Sequence, residues 1–186
     1  MNEQEWAQLK ASFPYVDFTA EFERAFRAMW EEKVFKKGDF VTEAGRKERY
    51  FYFVFSGVQS IYLIEHKGDR IVFGFTYKGD FSGVYASFVA DDISDYFLEC
   101  LSDSRLYAIN RANYFNLFEQ HPSFNKWGRL FYQQILLGRH KREVELLMLT
   151  AKERYLKFIK RCPDELRNIP QKFLASYLNM KPETFS

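Results

Sequence analysis

Tyr50-Phe51-Tyr52-Phe53-Val54-Phe55, Ser60-Ile61-Tyr62-Leu63-Ile64 and Arg70-Ile71-Val72-Phe73-Gly74-Phe75 follow one another with a glycine in each gap. Each run has strand length and is rich in aromatic or β-branched residues, which suit a pleated, half-buried surface. Outward from this block, seven of the nine glycines lie between positions 38 and 83. Five of them (Gly38, Gly45, Gly57, Gly68, Gly79) separate short apolar runs. Turns at intervals of about 7–12 residues predict a small all-β sandwich or barrel. Lys67-Gly68-Asp69 and Lys78-Gly79-Asp80 read as hairpin tips, where glycine takes positive φ without strain. Further strands are expected around Tyr96–Leu101 and Arg105–Ile109. Upstream, Phe22, Ala25, Phe26, Met29 and Trp30 recur at helical spacing and predict an amphipathic helix over Thr19–Glu32.

From Asn113 onward the period becomes helical. His121-Pro122-Ser123 breaks the chain, and Ser123 suits an N-cap. The next pattern runs from Phe124 to about Leu149, about 26 residues or about 39 Å of helix. Its stripe comprises Trp127, Leu130, Phe131, Gln134, Leu137, Lys141 and Val144, with Leu147 and Met148 beyond. A helix this long exceeds what one small β unit covers, so pairing with a second copy is expected. Packing wholly within the monomer is the other reading, and the polar Gln134 and Lys141 keep it open. Thr150-Ala151-Lys152-Glu153 forms a capping box that starts a new helix through about Arg161, ended by Cys162-Pro163-Asp164. The chain thus divides into a β unit at 1–122, a long helix at 123–149 and a helical unit at 150–186.

The chain has 186 residues, 47% apolar and 19% aromatic, enough to bury a core and against intrinsic disorder. No apolar run approaches the ~20 residues that span a bilayer. The acidic start Met1-Asn2-Glu3-Gln4-Glu5 carries no signal-peptide pattern, so no membrane partner is expected. Cys100 and Cys162 are too few and too far apart for a disulfide framework, which fits a reducing cytoplasm. Charge is divided. Residues 1–122 hold 14 Lys/Arg against 19 Asp/Glu, and residues 123–186 hold 13 against 6. A basic back half suggests a polyanion partner or simply a solvated helical surface. His66, His121 and His140 stand apart, so paired-His metal sites are missing, as are an iron–sulfur cysteine cluster, a phosphate loop and Gly-x-Ser-x-Gly. Neither catalytic residues, nor a metal, nor a cofactor is expected, and the chain does not read as an enzyme.

Pro170-Gln171-Lys172-Phe173-Leu174-Ala175-Ser176-Tyr177-Leu178-Asn179-Met180-Lys181-Pro182-Glu183-Thr184-Phe185-Ser186 has the geometry of a helix-turn-helix. Pro170 suits the first helical turn, small Ala175 the helix crossing, and Asn179 a left-handed helix end. Leu174, Leu178, Met180 and Phe185 supply a shared apolar wedge. On this reading Gln171, Lys181, Glu183, Thr184 and Ser186 are the candidate DNA contacts. An ordinary helical hairpin is the alternative.

Ala151-Lys152-Glu153-Arg154-Tyr155-Leu156, Ile169-Pro170-Gln171, Ala175-Ser176-Tyr177-Leu178 and Pro182-Glu183-Thr184-Phe185-Ser186 resemble the Crp/Fnr family of bacterial transcription regulators. Phe35-Lys36-Lys37-Gly38-Asp39, Phe53-Val54-Phe55-Ser56-Gly57 and Lys78-Gly79-Asp80-Phe81 resemble that family's cyclic-nucleotide-binding β-roll. The resemblance implies an α+β fold: an N-terminal double-stranded β-helix (jelly roll), a long dimerisation helix and a C-terminal helix-turn-helix. It further implies a homodimer that reads two-fold-symmetric double-stranded DNA, a small-molecule effector, and RNA polymerase as a partner. The second helix of such a motif enters the major groove, and Glu183 stands where family members accept from a cytosine amino group. The sequence ends at Ser186, inside that helix, and Lys181 replaces the usual Ser or Thr cap. A truncated helix-turn-helix with weakened DNA binding is therefore expected. A dimeric small-molecule-binding module acting through a protein partner is the alternative function.

In nucleotide-binding relatives a Glu after the Gly-Asp-Phe turn accepts from the ribose, and an Arg followed by Ser or Thr neutralises the phosphate. Ungapped placement of Gly79-Asp80-Phe81-Ser82-Gly83 puts Val84, Ser94 and Asp95 at those positions, and no Arg lies between Gly83 and Ser104. Val84 accepts nothing, Ser94 carries no charge, and Asp95 repels a phosphate. Losing a charge-assisted bidentate contact and adding an anion costs on the order of 2–5 kcal/mol. Cyclic AMP is therefore not expected as the ligand. Ser82, Gly83, Val84, Tyr85, Ser94, Asp95 and Tyr96 either line a different polar pocket or complete an aromatic wall.

Overall fold

The computed structural model describes residues 1–167 and 169–180. Two short helices come first: α1 (Glu3–Ala11), opened by an Asn2/Glu5 capping box, and α2 (Ala20–Ala28), capped by the Thr19 side chain. The strands follow as β1 (Trp30–Phe35), β2 (Phe40–Thr42), β3 (Tyr50–Ser56), β4 (Gln59–Ile64), β5 (Arg70–Thr76) and β6 (Phe81–Ser82). After α3 (Tyr85–Ala90) come β7 (Phe97–Cys100) and β8 (Ser104–Asn110). The rest is helical: α4 (Arg111–Gln120), the long α5 (Pro122–Met148), α6 (Ala151–Arg161), a single 3-10 turn (Asp164–Leu166) and α7 (Gln171–Tyr177).

Among the described residues all strand pairing is antiparallel, in two four-stranded sheets ordered β1-β8-β3-β6 and β2-β7-β4-β5. This is a mixed α+β chain built on a β-roll with one long helix. Lys67-Gly68-Asp69 closes the expected β4–β5 hairpin, with Gly68 at φ +87°. Lys78-Gly79-Asp80, expected as a second hairpin tip, instead carries the chain from one sheet to the other, because β5 pairs with β4 and β6 with β3; Gly79 still takes φ +90°. The helix expected over Thr19–Glu32 stops at Ala28 instead. Trp30 starts β1 and pairs opposite Ile109. Its indole still joins the same core as Phe22 and Phe26, so the apolar period runs on past the point where backbone pairing to β8 takes over.

The larger core is a cluster of rings. Phe13 sits among Phe26, Phe81, Phe124 and Trp127 at centroid distances of 4.7–5.6 Å. It joins α1 and α2, the β1-β8-β3-β6 sheet and the start of α5. A second cluster lies against the other sheet. There Val58, Tyr62, Val72 and Leu101 pack with Phe158, Leu166, Phe173, Leu174 and Leu178 of the C-terminal helices. Ser176 fastens this contact. Its hydroxyl accepts from Val72 N–H at 3.0 Å and donates to the Arg70 carbonyl at 2.6 Å. The hydroxyl thus serves two backbone groups on the open edge of β5.

Asp80, at the turn between β5 and β6, carries a pH dependence into this fold. Burial pushes its pKa up from 3.8 to about 6, against the Tyr77 N–H that donates to its carboxylate at 3.1 Å. A carboxyl with a raised folded-state pKa stabilises fully below its unfolded pKa and loses that contribution as pH rises through the folded value. Stability should therefore decline between about pH 4 and pH 6, by at most about 3 kcal/mol at about 1.4 per unit. Asp80→Asn keeps the side-chain acceptor and removes the charge. Urea midpoints at pH 4.5, 6 and 7.5 should flatten in this variant and exceed wild type at pH 7.5. An unchanged pH profile would rule out Asp80 as its source.

Candidate functional site

The turn after β6 brings Ser82, Gly83 and Val84 against the loop that precedes β3. Gly83 has φ +131°, and a Cβ there would lie 3.3 Å from the Tyr50 carbonyl. Beside it sits Glu48, 3% exposed, which the sequence reading did not single out. Its carboxylate accepts from Val84 N–H at 3.1 Å, Tyr50 N–H at 3.2 Å and, through a short contact, the Thr42 hydroxyl. Its own N–H donates to Ser87 Oγ at 2.9 Å, and Ser87 donates to the Asp92 carbonyl at 2.5 Å. Burial pushes the Glu48 pKa up while these donors hold it down. Of the groups at the start of α3, the Val84 amide is thus already given to an internal carboxylate.

The other candidates disperse. Ser82, buried, lies 2.8 Å from the Thr76 hydroxyl. Thr76 donates to Gln59 Oε1, and Gln59 donates to Ser104 Oγ, a polar chain across the roll interior. Ser94, buried, both accepts from and donates to the Tyr96 backbone at 2.9 Å. Its hydroxyl is therefore spent on its own loop. Asp95 is exposed. Tyr96 packs edge-on against Phe73 at 5.1 Å. Tyr85 reaches the long helix instead, with its ring 5.0 Å from that of Tyr132. Tyr132 meets the Tyr114 hydroxyl in a further short contact, and burial pushes all three phenols up. Among the seven, only Ser82–Val84 are gathered at one place.

The long helix is used in two halves. Trp127 is 3% exposed and stacks on Phe131 at 5.0 Å, one turn on. Phe131 in turn packs on Phe51 and Phe81. These two belong to the chain's own core and are withdrawn from the stripe expected to meet a second copy, because the roll presents a ring surface to the first turns of α5. Leu130 is half-buried. Beyond it, Gln134, Leu137, Lys141 and Val144 are exposed at alternating spacings of three and four, and Leu137 is 61% exposed. Leu136, Leu147 and Met148 are also exposed.

Where α5 ends, Thr150 and Glu153 make the expected reciprocal capping box. Asn179 is left-handed at φ +51° directly after α7. Gln171 is exposed on the first turn of α7. Lys181, Glu183, Thr184 and Ser186 lie outside the described residues. Arg142 ties α5 to this unit, its guanidinium 3.8 Å from the Tyr177 ring centroid and donating to the Tyr177 carbonyl at 2.5 Å. Arg161 grips Glu145 with two hydrogen bonds of 3.1 and 2.7 Å. No helix among the described residues is long and apolar enough to cross a membrane.

Residues 32–121, which hold most of the roll, match the family model of the cyclic nucleotide-binding domain. No curated protein sequence matches the chain. Solved structures of similar fold include a transcriptional regulator of the Crp/Fnr family from Eubacterium rectale, at 15% identity and TM-score 0.73 over 94% of this chain and 84% of that one. FixK2 from Bradyrhizobium japonicum aligns at 18% identity and TM-score 0.72 over 84% and 80%. CLP, the c-di-GMP-responsive global regulator of Xanthomonas campestris, aligns at 20% identity and TM-score 0.67 over 90% and 88%. At these identities the likeness is one of fold, and it extends beyond the roll into the helices.

Proposed function

We propose that the chain is a Crp/Fnr-like transcription regulator, a homodimer that binds double-stranded DNA through the unit beginning at Thr150 and is not gated by cyclic AMP. The observation that carries this reading is the exposed stripe on the second half of α5, continuous with a separately capped helical unit in which left-handed Asn179 follows α7. Leu137, Val144 and Met148 lie at coiled-coil spacing and are left exposed by the described residues, and a second copy of α5 would cover them. The 123–186 half is basic, as phosphate contacts require. Tyr85 and Tyr132 give the roll a direct contact with the dimer helix, a route by which an effector shifts the relation of the two. RNA polymerase as a partner and a cytoplasmic location follow the same reading.

The test uses the full natural chain with promoter fragments at two salt concentrations, and sedimentation for oligomeric state. A dimer that binds selected fragments with a steep salt slope is expected. Leu137→Asp should yield a monomer and lower DNA affinity at least about tenfold, since burying an unpaired carboxylate in the seam opposes pairing. Dimerisation without DNA binding would instead favour a small-molecule module acting through a protein partner.

A further inference from the structure

A cleft of about 340 Å³ lies where β5, the long helix and the C-terminal unit meet, at the lower end of small-molecule sites. Phe73 and Ile135 give it apolar surface, and Gly138 opens it because no side chain projects there. Arg139, Lys141 and Arg142 line it from α5. Arg161 and Glu145 also line it, and their charges meet each other at 2.7 Å. Among the described residues, no carboxylate stands within ion-pair distance of Arg139, Lys141 or Arg142. Arg142 is half-buried, and one of its nitrogens is spent on the Tyr177 carbonyl. Withdrawing a guanidinium from water without an anion is unfavourable. Burial accordingly pulls the Arg142 pKa below its ordinary value.

We propose that this cleft is a binding site for a small organic anion, its phosphate or carboxylate held by Arg139 and Arg142 and its apolar part laid on Phe73 and Ile135. A convex basic surface would suit a nucleic-acid backbone. This one is concave and walled by the roll, which favours a compact ligand. The position has a mechanical consequence, because an occupant touches the roll, α5 and the end of α7 at once. It would therefore bias their arrangement without using the start of α3, where Glu48 already occupies Val84. As an effector site the cleft rests on the regulator reading; as a binding site it does not.

The experiment is calorimetric titration of the full chain with phenyl phosphate, without DNA, so that its outcome is independent of any failure to bind DNA. Saturable one-site binding at or below about 1 mM is expected, with inorganic phosphate weaker and phenol silent. Arg142→Gln should weaken binding at least tenfold. Because that variant also loosens α7, Arg139→Gln supplies a second arm. Among the described residues Arg139 makes no ion pair or side-chain hydrogen bond, so its substitution should weaken binding several-fold with an unchanged melting temperature. Lys126→Gln, at the other end of α5, should bind as wild type. Absence of saturable binding by wild type, or equal binding by wild type and both arginine variants, would overturn the proposal.

Discussion

Gly57→Ala is expected to be the most damaging single-methyl change in the roll, lowering stability by about 3–5 kcal/mol. Gly57 joins β3 to β4 at φ +95°. A Cβ there would stand 2.2 Å from Ser104 Oγ, 2.7 Å from the Asp103 carbonyl and 2.7 Å from Ser104 Cα. Two of these atoms are backbone, at the entry to the strand that pairs with both β1 and β3. Relief therefore requires moving β8, an inner strand of the ring-lined sheet, rather than rotating a side chain. Gly45→Ala separates the contributions. Its φ is +82° with nothing within 4 Å of the added carbon, so it should lose only the left-handed penalty of about 1–2 kcal/mol. Urea midpoints of the two variants measure the difference. Equal losses would mean that the close approach to Ser104 carries no cost.

These glycines also show why the β-roll was legible in the sequence. A positive-φ turn is a local requirement, and glycine meets it at a spacing that strand length sets. The Thr150–Glu153 capping box and left-handed Asn179 are local in the same sense, and both stand as read. What escaped is non-local. Trp127 and Phe131 have the spacing of a dimer stripe, but a ring cluster built partly from Phe13 and Phe51 claims them. Nothing within α5 distinguishes a ring facing the roll from one facing a second helix. Trp30 continues the period of α2 while its backbone belongs to a strand. Glu48 is the plainest case. It sits amid charged residues in Arg46-Lys47-Glu48-Arg49 and reads as solvated, yet it is buried beneath a turn 36 residues further along.

That burial yields the second large effect. Glu48→Ala removes the acceptor for the Val84 and Tyr50 amides and the Thr42 hydroxyl. Each buried donor left unpaired costs about 1–3 kcal/mol, partly offset because a desolvated carboxylate is removed as well. A net loss of about 3 kcal/mol is expected in urea unfolding, and about half that for Glu48→Gln, whose amide oxygen still accepts one of the bonds. If Glu48 instead stood in solvent, both variants would unfold within about 0.5 kcal/mol of wild type. The same variants separate two accounts of why the roll should ignore cyclic AMP. If the carboxylate alone blocked a nucleotide, Glu48→Ala would free the Val84 amide and gain affinity. Ser94, however, is bound to its own loop and brings no charge, and Asp95 adds a negative one. Micromolar cyclic AMP is therefore expected to leave the melting temperature of both wild type and Glu48→Ala unchanged. A rise of several degrees in the variant alone would make Glu48 the gate, and a rise in wild type would restore the roll as a cyclic-nucleotide sensor.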